Sequence, residues 1–289
     1  MWAGAQSWCW CWCSVVLLVC APPLEALPLV HPSAATPQWL DLSHPLDNTS
    51  HHWPGFLGFN LTLMINGSVT PDVWAALHNF ASSEHTGTHM DAPIHVGRDG
   101  TWSVDQIPAD RLVGHAAMID IADRCQADPD SILTTDDLAE WRKQHGQFVY
   151  PTILLVRTGQ AAHRDNINRY LGLPEGYQFQ EDGFSFSPHE LPPLRFPGIG
   201  KAAADELAAD DAVVGVGVDC LSLDQSANLR LEAHHALFAR NKFGLENVAD
   251  LSRVPATGAT VMALPMKIRG GTGGPARILV RLPEEGSQS

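Results

Sequence analysis

The sequence predicts a single α/β domain in which a mixed sheet alternates with helices. Five short runs rich in β-branched residues and bounded by Gly, Pro or Asp are typical of buried strands. They are Ala117–Ile121, Val149–Arg157, Val213–Val218, Thr260–Ile268 and Ala276–Leu282. Helical signals lie between them, at residues 135–145, 201–209 and 231–240. This alternation indicates the α/β class, and a chain of 289 residues is long enough for one large domain, here assigned to residues 27–289.

Residues 1–26 have the features of a secretory signal peptide. An apolar run extends from Trp8 to Cys20 and is broken by Pro22 and Pro23. The run is too short to be a stable transmembrane anchor, so cleavage near Ala26 and secretion are expected. Because no Lys or Arg precedes the run, a short uncleaved anchor is the alternative. No other stretch is apolar enough to cross a membrane, so no further membrane contact is expected.

The predicted elements follow from local signals. Residues 27–40 are Pro-rich and predict an extended lead-in. Residues 153–156 are apolar on both faces, which is typical of a central strand covered on both sides. Thr134 begins a capping-box-like helix that runs to about His145, where Gly146 supplies the stop.

The other helices depend on composition and spacing. Residues 201–209 are Ala-rich and have high helix propensity. In residues 231–240, apolar and histidine side chains recur at helical spacing. Residues 160–197 are rich in Gly, Pro and Phe without a clear period, and they predict a long loop or lid over the core.

Charge, sequons and cysteines narrow the class of protein. A formal net charge of −14 opposes binding to phosphate backbones, so nucleic acid is not an expected partner. Three Asn-x-Ser/Thr sequons, at Asn48, Asn60 and Asn66, agree with export and predict glycosylation. The mature chain keeps only Cys125 and Cys220, which excludes a disulfide-stapled scaffold and leaves open a single disulfide or two buried thiols.

Four metal-capable side chains fall within eleven residues: His85, His89, Asp91 and His95. Gly87 and Pro93 oppose a regular helix here, and in an extended chain His89 and Asp91 would share one face. A bend at residues 86–88 would bring His85 back to them. Two neutral imidazoles and a carboxylate suit Zn²⁺ or Mn²⁺ and leave coordination positions for water, so this cluster predicts a catalytic metal site.

A second cluster contains His234, His235 and Glu246. Adjacent histidines on a helix point about 100° apart, so only one of them can face a given site. Glu246 is expected on the strand after that helix, where its carboxylate could bridge two metal ions. By itself this cluster is a weak indication, but together with the first it predicts a second metal position.

The residues from His85 to His95 read His-Thr-Gly-Thr-His-Met-Asp-Ala-Pro-Ile-His, and this string resembles the signature of the cyclase-like metal hydrolases. That family includes bacterial kynurenine formamidase and isatin hydrolase. Weaker segments in the family's order extend the resemblance over most of the mature chain. They are Asp41–Ser43, Trp53–Gly55, Leu155–Gly159, Phe196–Gly198, Gly217–Asp219, Ser222–Asp224, Ala233–Leu237, Leu245–Asn247, Ala263–Ile268 and Gly270–Gly271.

The resemblance implies a role for each site residue. His85, His89 and Asp91 would hold the first metal ion, and Asp91 would also contact a second. His234 would bind the second ion, and Glu246 would bridge both. His95 would donate and accept protons. Trp53 would pack against an aromatic substrate.

The resemblance also implies a swivelling β/β/α-type fold, homo-oligomers and two Zn²⁺ or Mn²⁺ ions. The expected activity is hydrolysis of a carbon–nitrogen bond in an aryl formamide or cyclic amide by metal-activated water, as in arylformamidases. Val96 and Cys220 depart from the family's pattern, where Phe and Thr are expected. The segment 160–195 is longer than in bacterial members. These departures lie near the expected pocket and leave the substrate open.

Two alternatives remain at this stage. The same site could hydrolyse isatin or a lactone, or the chain could be a secreted metal- or ligand-binding protein without turnover. Other chemistries fit poorly, because residues 183–187 lack the second Gly of a serine-hydrolase elbow. The sequence also has no His-Glu-x-x-His motif and no Cys-x-x-Cys motif.

Overall fold

The computed structural model describes residues 38–53, 55–177 and 194–284. In these residues the strands are β1 (Trp39–Asp41), β2 (Asn60–Thr70), β3 (Val73–Ala81), β4 (His89–Asp91), β5 (Val113–Asp120), β6 (Ile132–Leu133), β7 (Thr152–Arg157), β8 (Gly198–Ile199), β9 (Val213–Val218), β10 (Phe243–Glu246), β11 (Thr260–Pro265) and β12 (Gly273–Arg281). The α-helices are α1 (Ala122–Ala127), α2 (Thr135–His145), α3 (Ile167–Tyr170), α4 (Lys201–Ala209) and α5 (Glu232–Phe238).

Seven strands close into a barrel-like sheet in the order β12-β11-β5-β7-β9-β10-β4. The ring closes because β4 pairs antiparallel with both β10 and β12. Strands β5, β7, β9 and β10 run parallel to one another, whereas β11 is antiparallel to β5 and β12. The α/β single domain expected from the sequence is confirmed in this form. The swivelling β/β/α arrangement stays a prediction.

Strand β7 shows why the sheet has two cores. Ile153 and Leu155 point to a cluster inside the barrel, while Leu154 and Val156 point to a cluster formed with the helices. All four side chains are fully buried, as expected for a strand covered on both faces. The helix-side cluster includes apolar residues of α2, α4 and α5, which therefore pack on the outside of the parallel strands.

The local helix signals are confirmed at residue level. Helix α2 starts after Thr134, whose hydroxyl accepts a hydrogen bond from the backbone N–H of Asp137 at 3.3 Å. It ends at Gly146, which has a positive φ of 87° that a residue with a Cβ rarely adopts. Helix α4 has the predicted bounds, and α5 covers residues 232–238 of the predicted 231–240.

The predicted strand bounds needed small corrections. Strand β9 is as predicted. Strand β7 begins only at Thr152, because the preceding residues bend and the Thr152 hydroxyl donates a hydrogen bond to the carbonyl oxygen of Val149. Strand β11 ends at Pro265, and β5 and β12 start earlier than predicted. In the predicted loop of residues 160–197 the structure has a 3-10 turn and the short helix α3, and β8 begins directly after it. Residues 178–193 of that loop lie outside the described residues.

An arm formed by β2 and β3 was not predicted from the sequence. The two strands pair antiparallel from Asn60↔Ala81 to Thr70↔Val73 as a sheet of their own. Their large apolar side chains are exposed, for example Trp74 at 65% and Leu61 at 57%. A two-stranded hairpin is marginally stable in water by itself.

Cys125 and Cys220 are both buried and free, so the structure has the two-thiol arrangement. Burial raises the pKa of the Cys125 thiol to about 12, with the nearby charge of Asp219 acting in the same direction. Burial likewise holds the pKa of Cys220 well above its ordinary value. Both side chains are therefore uncharged packing groups at neutral pH. Among the described residues, no helix is long and apolar enough to span a bilayer.

Candidate metal centre

The first metal-capable segment is bent and then extended, as the sequence predicts. Gly87 has a φ of 63°, and a Cβ at this position would lie 2.6 Å from a Leu46 methyl group. The bend therefore requires glycine both for its backbone angle and for space. Strand β4 follows at once, and its period of two places His89 and Asp91 on the same face.

The second segment lies beside the first because β10 is the neighbour of β4 in the barrel. The register pairs Glu246 with His89 and Gly244 with Asp91. A Cβ on Gly244 would lie 3.4 Å from the Asp91 side chain, so the glycine leaves room for that carboxylate. His234 approaches from α5, whose buried face includes it.

The imidazole and carboxylate atoms converge around Asp91. Asp91 Oδ1 lies 2.7 Å from His85 Nδ1 and 3.1 Å from His89 Nε2. Asp91 Oδ2 lies 3.4 Å from His234 Nε2. Glu246 spans the same space, with Oε2 3.4 Å from His89 Nε2 and Oε1 3.1 Å from His234 Nε2. The structure therefore brings together all five residues that the sequence proposes as metal ligands.

Each of these histidines has its other ring nitrogen engaged outside the centre. His89 Nδ1 lies 2.9 Å from the carbonyl oxygen of Gly87, and His234 Nδ1 lies 2.5 Å from Asp224 Oδ2. His85 Nε2 lies 2.9 Å from Thr272 Oγ1. Such outer partners fix the ring orientation and tautomer of metal-binding histidines.

Asp224 was not singled out from the sequence. Its Oδ1 accepts hydrogen bonds from the Asn228 side chain and the backbone N–H of Ala233, both at 2.8 Å. Its Oδ2 serves His234, so one carboxylate caps the start of α5 and orients the candidate ligand. A sequence signal did exist, because Asp224 belongs to the segment Ser222–Asp224 that resembles the family, and it lies ten residues before His234.

The electrostatics of the centre favour positive charge. Burial by itself would raise the pKa of Asp91, but charge from His89 and hydrogen bonds from the neighbouring histidines hold it well below its ordinary value. Burial would lower the pKa values of His89 and His234, but the surrounding carboxylates raise both. Two buried carboxylates therefore require compensating cations.

The donor set fits a divalent metal ion. Among the described residues, His89 Nε2 and Asp91 Oδ2 are buried atoms without a hydrogen-bond partner, although both face the cluster. The candidate ligand atoms form two groups, and the atoms within each group lie within 4.8 Å of one another. One group is His85, Asp91 and His95, and the other is His89, Asp91 and Glu246. Asp91 is common to both groups. Nitrogen and carboxylate oxygen donors in this number are typical of zinc and manganese sites.

His95 lies beside the centre at the edge of a cavity. Its ring stacks on that of His85 with centroids 3.9 Å apart, and it is 6.2 Å from the ring of His234. Burial lowers the pKa of His95 to about 4, so its imidazole is neutral at pH 7. A cavity of about 360 Å³ opens here, and it is lined by Phe56, Leu57, Ser83, Glu84, His85, His95 and Thr272.

The remaining candidate residues lie elsewhere. The half-buried Trp53 packs edge-on against Phe196 at 6.5 Å, in a satellite cluster with Tyr170 and Leu221. His235 is exposed on α5, so only His234 of the adjacent pair faces the centre. The sequon residues Asn48, Asn60 and Asn66 are all exposed.

The chain is similar to several proteins that are named as hydrolases. An isatin hydrolase from Roseibium aggregatum is 32% identical over 208 residues, which cover 70% of this chain and 73% of that protein. A kynurenine formamidase from Bacillus cereus is 27% identical over 246 residues, covering 85% of this chain and 98% of its own. The structure of isatin hydrolase A from Labrenzia aggregata bound to benzyl benzoate matches with a TM-score of 0.71 and 30% identity, covering 86% of this chain and 94% of that one. An isatin hydrolase bound to the product analogue thioisatinate matches with a TM-score of 0.72 and 25% identity, covering 86% and 93%.

The Cyclase family model matches residues 40–225, which include β4 and its metal-capable side chains. The resemblance inferred from the string His85–His95 is thereby confirmed. The expectation of a metal-dependent hydrolase agrees with the names of these relatives. The chain belongs to the Cyclase family.

Proposed function

We propose that this protein is a metal-dependent hydrolase that cleaves the carbon–nitrogen bond of an aryl formamide or a cyclic amide. The convergence of His85, His89, Asp91, His234 and Glu246 on one buried space carries the proposal. Kynurenine formamidases and isatin hydrolases, to which the chain is similar, are named for amide and lactam substrates of these two kinds.

The geometry favours two ions, Zn²⁺ or Mn²⁺. His85, His89 and Asp91 would hold one ion, since His85 Nδ1 and His89 Nε2 both lie near Asp91 Oδ1. His234 would hold the other together with Asp91, whose Oδ2 lies 3.4 Å from His234 Nε2. Glu246 would serve both ions, since its Oε2 lies near His89 and its Oε1 near His234.

The metal centre, when loaded, supplies an activated water and positive charge beside the scissile carbonyl oxygen. His95 then serves as the proton carrier. Its imidazole is neutral at pH 7, so it would take the proton that the attacking water loses and pass it to the leaving nitrogen. Its place at the cavity edge, stacked on His85, brings it to both the metal position and the bound substrate.

The cavity supports an aromatic amide of modest size. Phe56 and Leu57 contribute apolar side chains to its lining, together with His85 and His95. The family resemblance supports a role for Trp53 in packing against the substrate, which would affect binding rather than chemistry, and in the structure its ring packs on Phe196. Isatin, a cyclic amide, or a lactone is the alternative to an aryl formamide, and it is supported by 32% identity to an isatin hydrolase over 70% of this chain.

A substrate panel tests the proposal directly. The purified protein is analysed for bound metal, stripped with a chelator, and reloaded with Zn²⁺ or Mn²⁺ in separate samples. Each sample is then offered N-formylkynurenine, isatin and an aryl lactone. We expect hydrolysis of at least one amide or lactam by the reloaded samples and none by the stripped sample. Tight metal binding with no turnover of any substrate would favour a binding protein instead.

We further propose that the chain is cleaved near Ala26, exported and glycosylated. The exposure of Asn48, Asn60 and Asn66 supports access of the glycosylation machinery to all three sequons. After expression in a secretory host, glycosidase treatment should lower the mass of the protein. N-terminal sequencing should locate the site at which the signal peptide is cleaved. A homo-oligomer is proposed from the family resemblance, and light scattering on the purified protein measures it.

A further inference from the structure

Glu84 and Thr272 form a hydrogen-bonded pair behind His85. Glu84 Oε2 accepts hydrogen bonds from the backbone N–H of Thr272 at 3.0 Å and from its hydroxyl at 2.6 Å. The same hydroxyl oxygen lies 2.9 Å from His85 Nε2. On its other side, the His85 ring presents Nδ1 to Asp91 Oδ1 at 2.7 Å. A continuous chain of polar contacts therefore runs from Glu84 into the metal centre.

The number of available hydrogens determines which group donates and which accepts in each of these contacts. A threonine hydroxyl has one hydrogen, and a carboxylate oxygen can only accept. The 2.6 Å contact with Glu84 therefore uses the hydroxyl hydrogen of Thr272. Thr272 Oγ1 has only its lone pairs left for His85, so Nε2 must carry the hydrogen in their 2.9 Å contact.

This assignment determines the other ring nitrogen. With Nε2 protonated, the neutral imidazole of His85 has its lone pair on Nδ1. That lone pair points at a carboxylate oxygen 2.7 Å away, a contact between two acceptors that requires either a proton or a metal ion to hold it. His85 is thus prepared to bind a metal ion through Nδ1, which is the opposite nitrogen to the one that His89 and His234 present.

Glu84 and Thr272 also restrict the movement of the His85 side chain. Glu84 precedes His85 directly, whereas Thr272 precedes β12 and lies 188 residues from Glu84 along the chain. The carbonyl oxygen of Thr272 accepts a hydrogen bond at 2.8 Å from the N–H of Ala92, immediately after β4. Thr272 is therefore tied both to the residue before His85 and to the residue after Asp91.

We propose that Glu84 and Thr272 are positioning residues that lock His85 in its Nε2–H tautomer and aim Nδ1 at the metal position. Neither residue contacts the metal position itself. This inference rests on the proposed metal-dependent function, since it concerns how tightly and in what geometry the centre binds its ion.

Metal affinity provides the first test. Zn²⁺ binding to Thr272→Val and Glu84→Gln is measured by competition with a chromophoric chelator. Loss of an outer partner of this kind weakens binding by about 10- to 100-fold. Thr272→Ser keeps the hydroxyl and should restore affinity close to that of the unaltered protein. Glu140→Gln removes an exposed carboxylate on α2 and serves as the matched charge control.

The imidazole tautomer provides a second test, and its first measurement needs no substitution. ¹⁵N NMR of the Zn²⁺-loaded protein should show one histidine protonated at Nε2 and bound through Nδ1, with His89 and His234 of the opposite type. The absorption spectrum of the Co²⁺-loaded protein should change in Thr272→Val and return in Thr272→Ser. An Nδ1-protonated His85 overturns the inference even if a variant fails to fold.

The outcomes separate this inference from the proposed function. If the unaltered protein binds no metal, the proposed function itself is wrong. If the unaltered protein binds metal, and Thr272→Val and Glu84→Gln bind it with the same affinity and unchanged Co²⁺ spectra, the positioning role of Glu84 and Thr272 is contradicted. The hydrolase proposal then still stands.

Discussion

Asp224 Oδ2 holds His234 at two points, accepting from its backbone N–H at 3.1 Å and contacting its ring Nδ1 at 2.5 Å. The Asp224→Asn variant keeps the size of the side chain but lacks one acceptor oxygen and the charge. We expect about a 10- to 100-fold loss of metal affinity at the position that His234 borders. Metal titration by calorimetry should show a weakened second binding step. Asp205→Asn, an exposed carboxylate on α4, is the control and should bind like the unaltered protein.

Substitution of His95 separates chemistry from metal binding. If His95 carries the proton, His95→Gln lowers kcat by about 100- to 10,000-fold, the usual contribution of general acid–base catalysis. Its metal content, measured by elemental analysis, should be unchanged. A parallel loss of metal would instead make His95 a ligand, as its closeness to His85 and Asp91 would also allow.

Removal of the metal should cost stability as well as activity. Without cations the centre keeps two buried carboxylates whose compensation depends on protonated histidines. A ligand present at 100 times its Kd stabilises the folded state by about 2.7 kcal/mol. Thermal unfolding monitored by circular dichroism should therefore show a lower Tm after chelation and recovery with Zn²⁺ or Mn²⁺. An identical Tm with and without metal would contradict a site formed in the folded core.

The half-buried His44 and the buried His51, both outside the centre, predict acid sensitivity. Burial, assisted by the charge of Arg164, lowers the pKa values of His44 and His51 to about 4, compared with about 6.5 in the unfolded chain. The folded state thus favours their neutral forms. Their stabilising contribution is complete above pH 6.5 and is lost as the pH falls from 6.5 towards 4, because the unfolded chain takes up protons first.

Urea unfolding at pH 7 and pH 5 measures this effect. We expect a lower free energy of unfolding at pH 5, and a smaller difference between the two pH values in His51→Gln. His78→Gln, which changes an exposed histidine of the β2–β3 arm, should retain the full difference. If His51→Gln also retains it, the titration of other groups explains the acid sensitivity.

Substitution of Gly215 in β9 should change the stability of the fold through core packing alone. A Cβ at this position would lie 2.2 Å from the ring of Phe243 in the adjacent strand β10. Gly215→Ala should therefore destabilise the protein by about 1–3 kcal/mol, the usual cost of overpacking a core. Gly67→Ala is the control, since a Cβ there would meet no atom within 4 Å. Equal unfolding free energies for the two variants would show that the sheet yields at Gly215.

The parts predicted well from the sequence depend on neighbours in the chain. Thr134 and Gly146 mark the ends of α2 because capping uses residues within one helical turn. The bend at Gly87 and the shared face of His89 and Asp91 likewise follow from adjacent residues. These local signals were enough to place the first metal-capable segment on a bend followed by a strand.

The parts that were missed depend on contacts between distant segments. Glu84 and Thr272 are 188 residues apart, and no motif around either residue predicts that the two are in contact. The arm was missed because Asn66, Gly67 and Ser68 interrupt the apolar alternation of β2, and a register shift between Leu63 and Ile65 moves it out of phase. Pairing across the turn at residues 71–72 makes these residues a hairpin.

The closure of the barrel has a consequence for when the protein can become active. Strand β4 carries His89 and Asp91 early in the chain, but its two neighbours, β10 and β12, come from residues 243–246 and 273–281. A chain emerging from the ribosome therefore exposes its first histidines long before Glu246 and Thr272 exist to join them. Assembly of the centre must wait for nearly the whole polypeptide, so a truncated translation product should be inert and unable to retain metal.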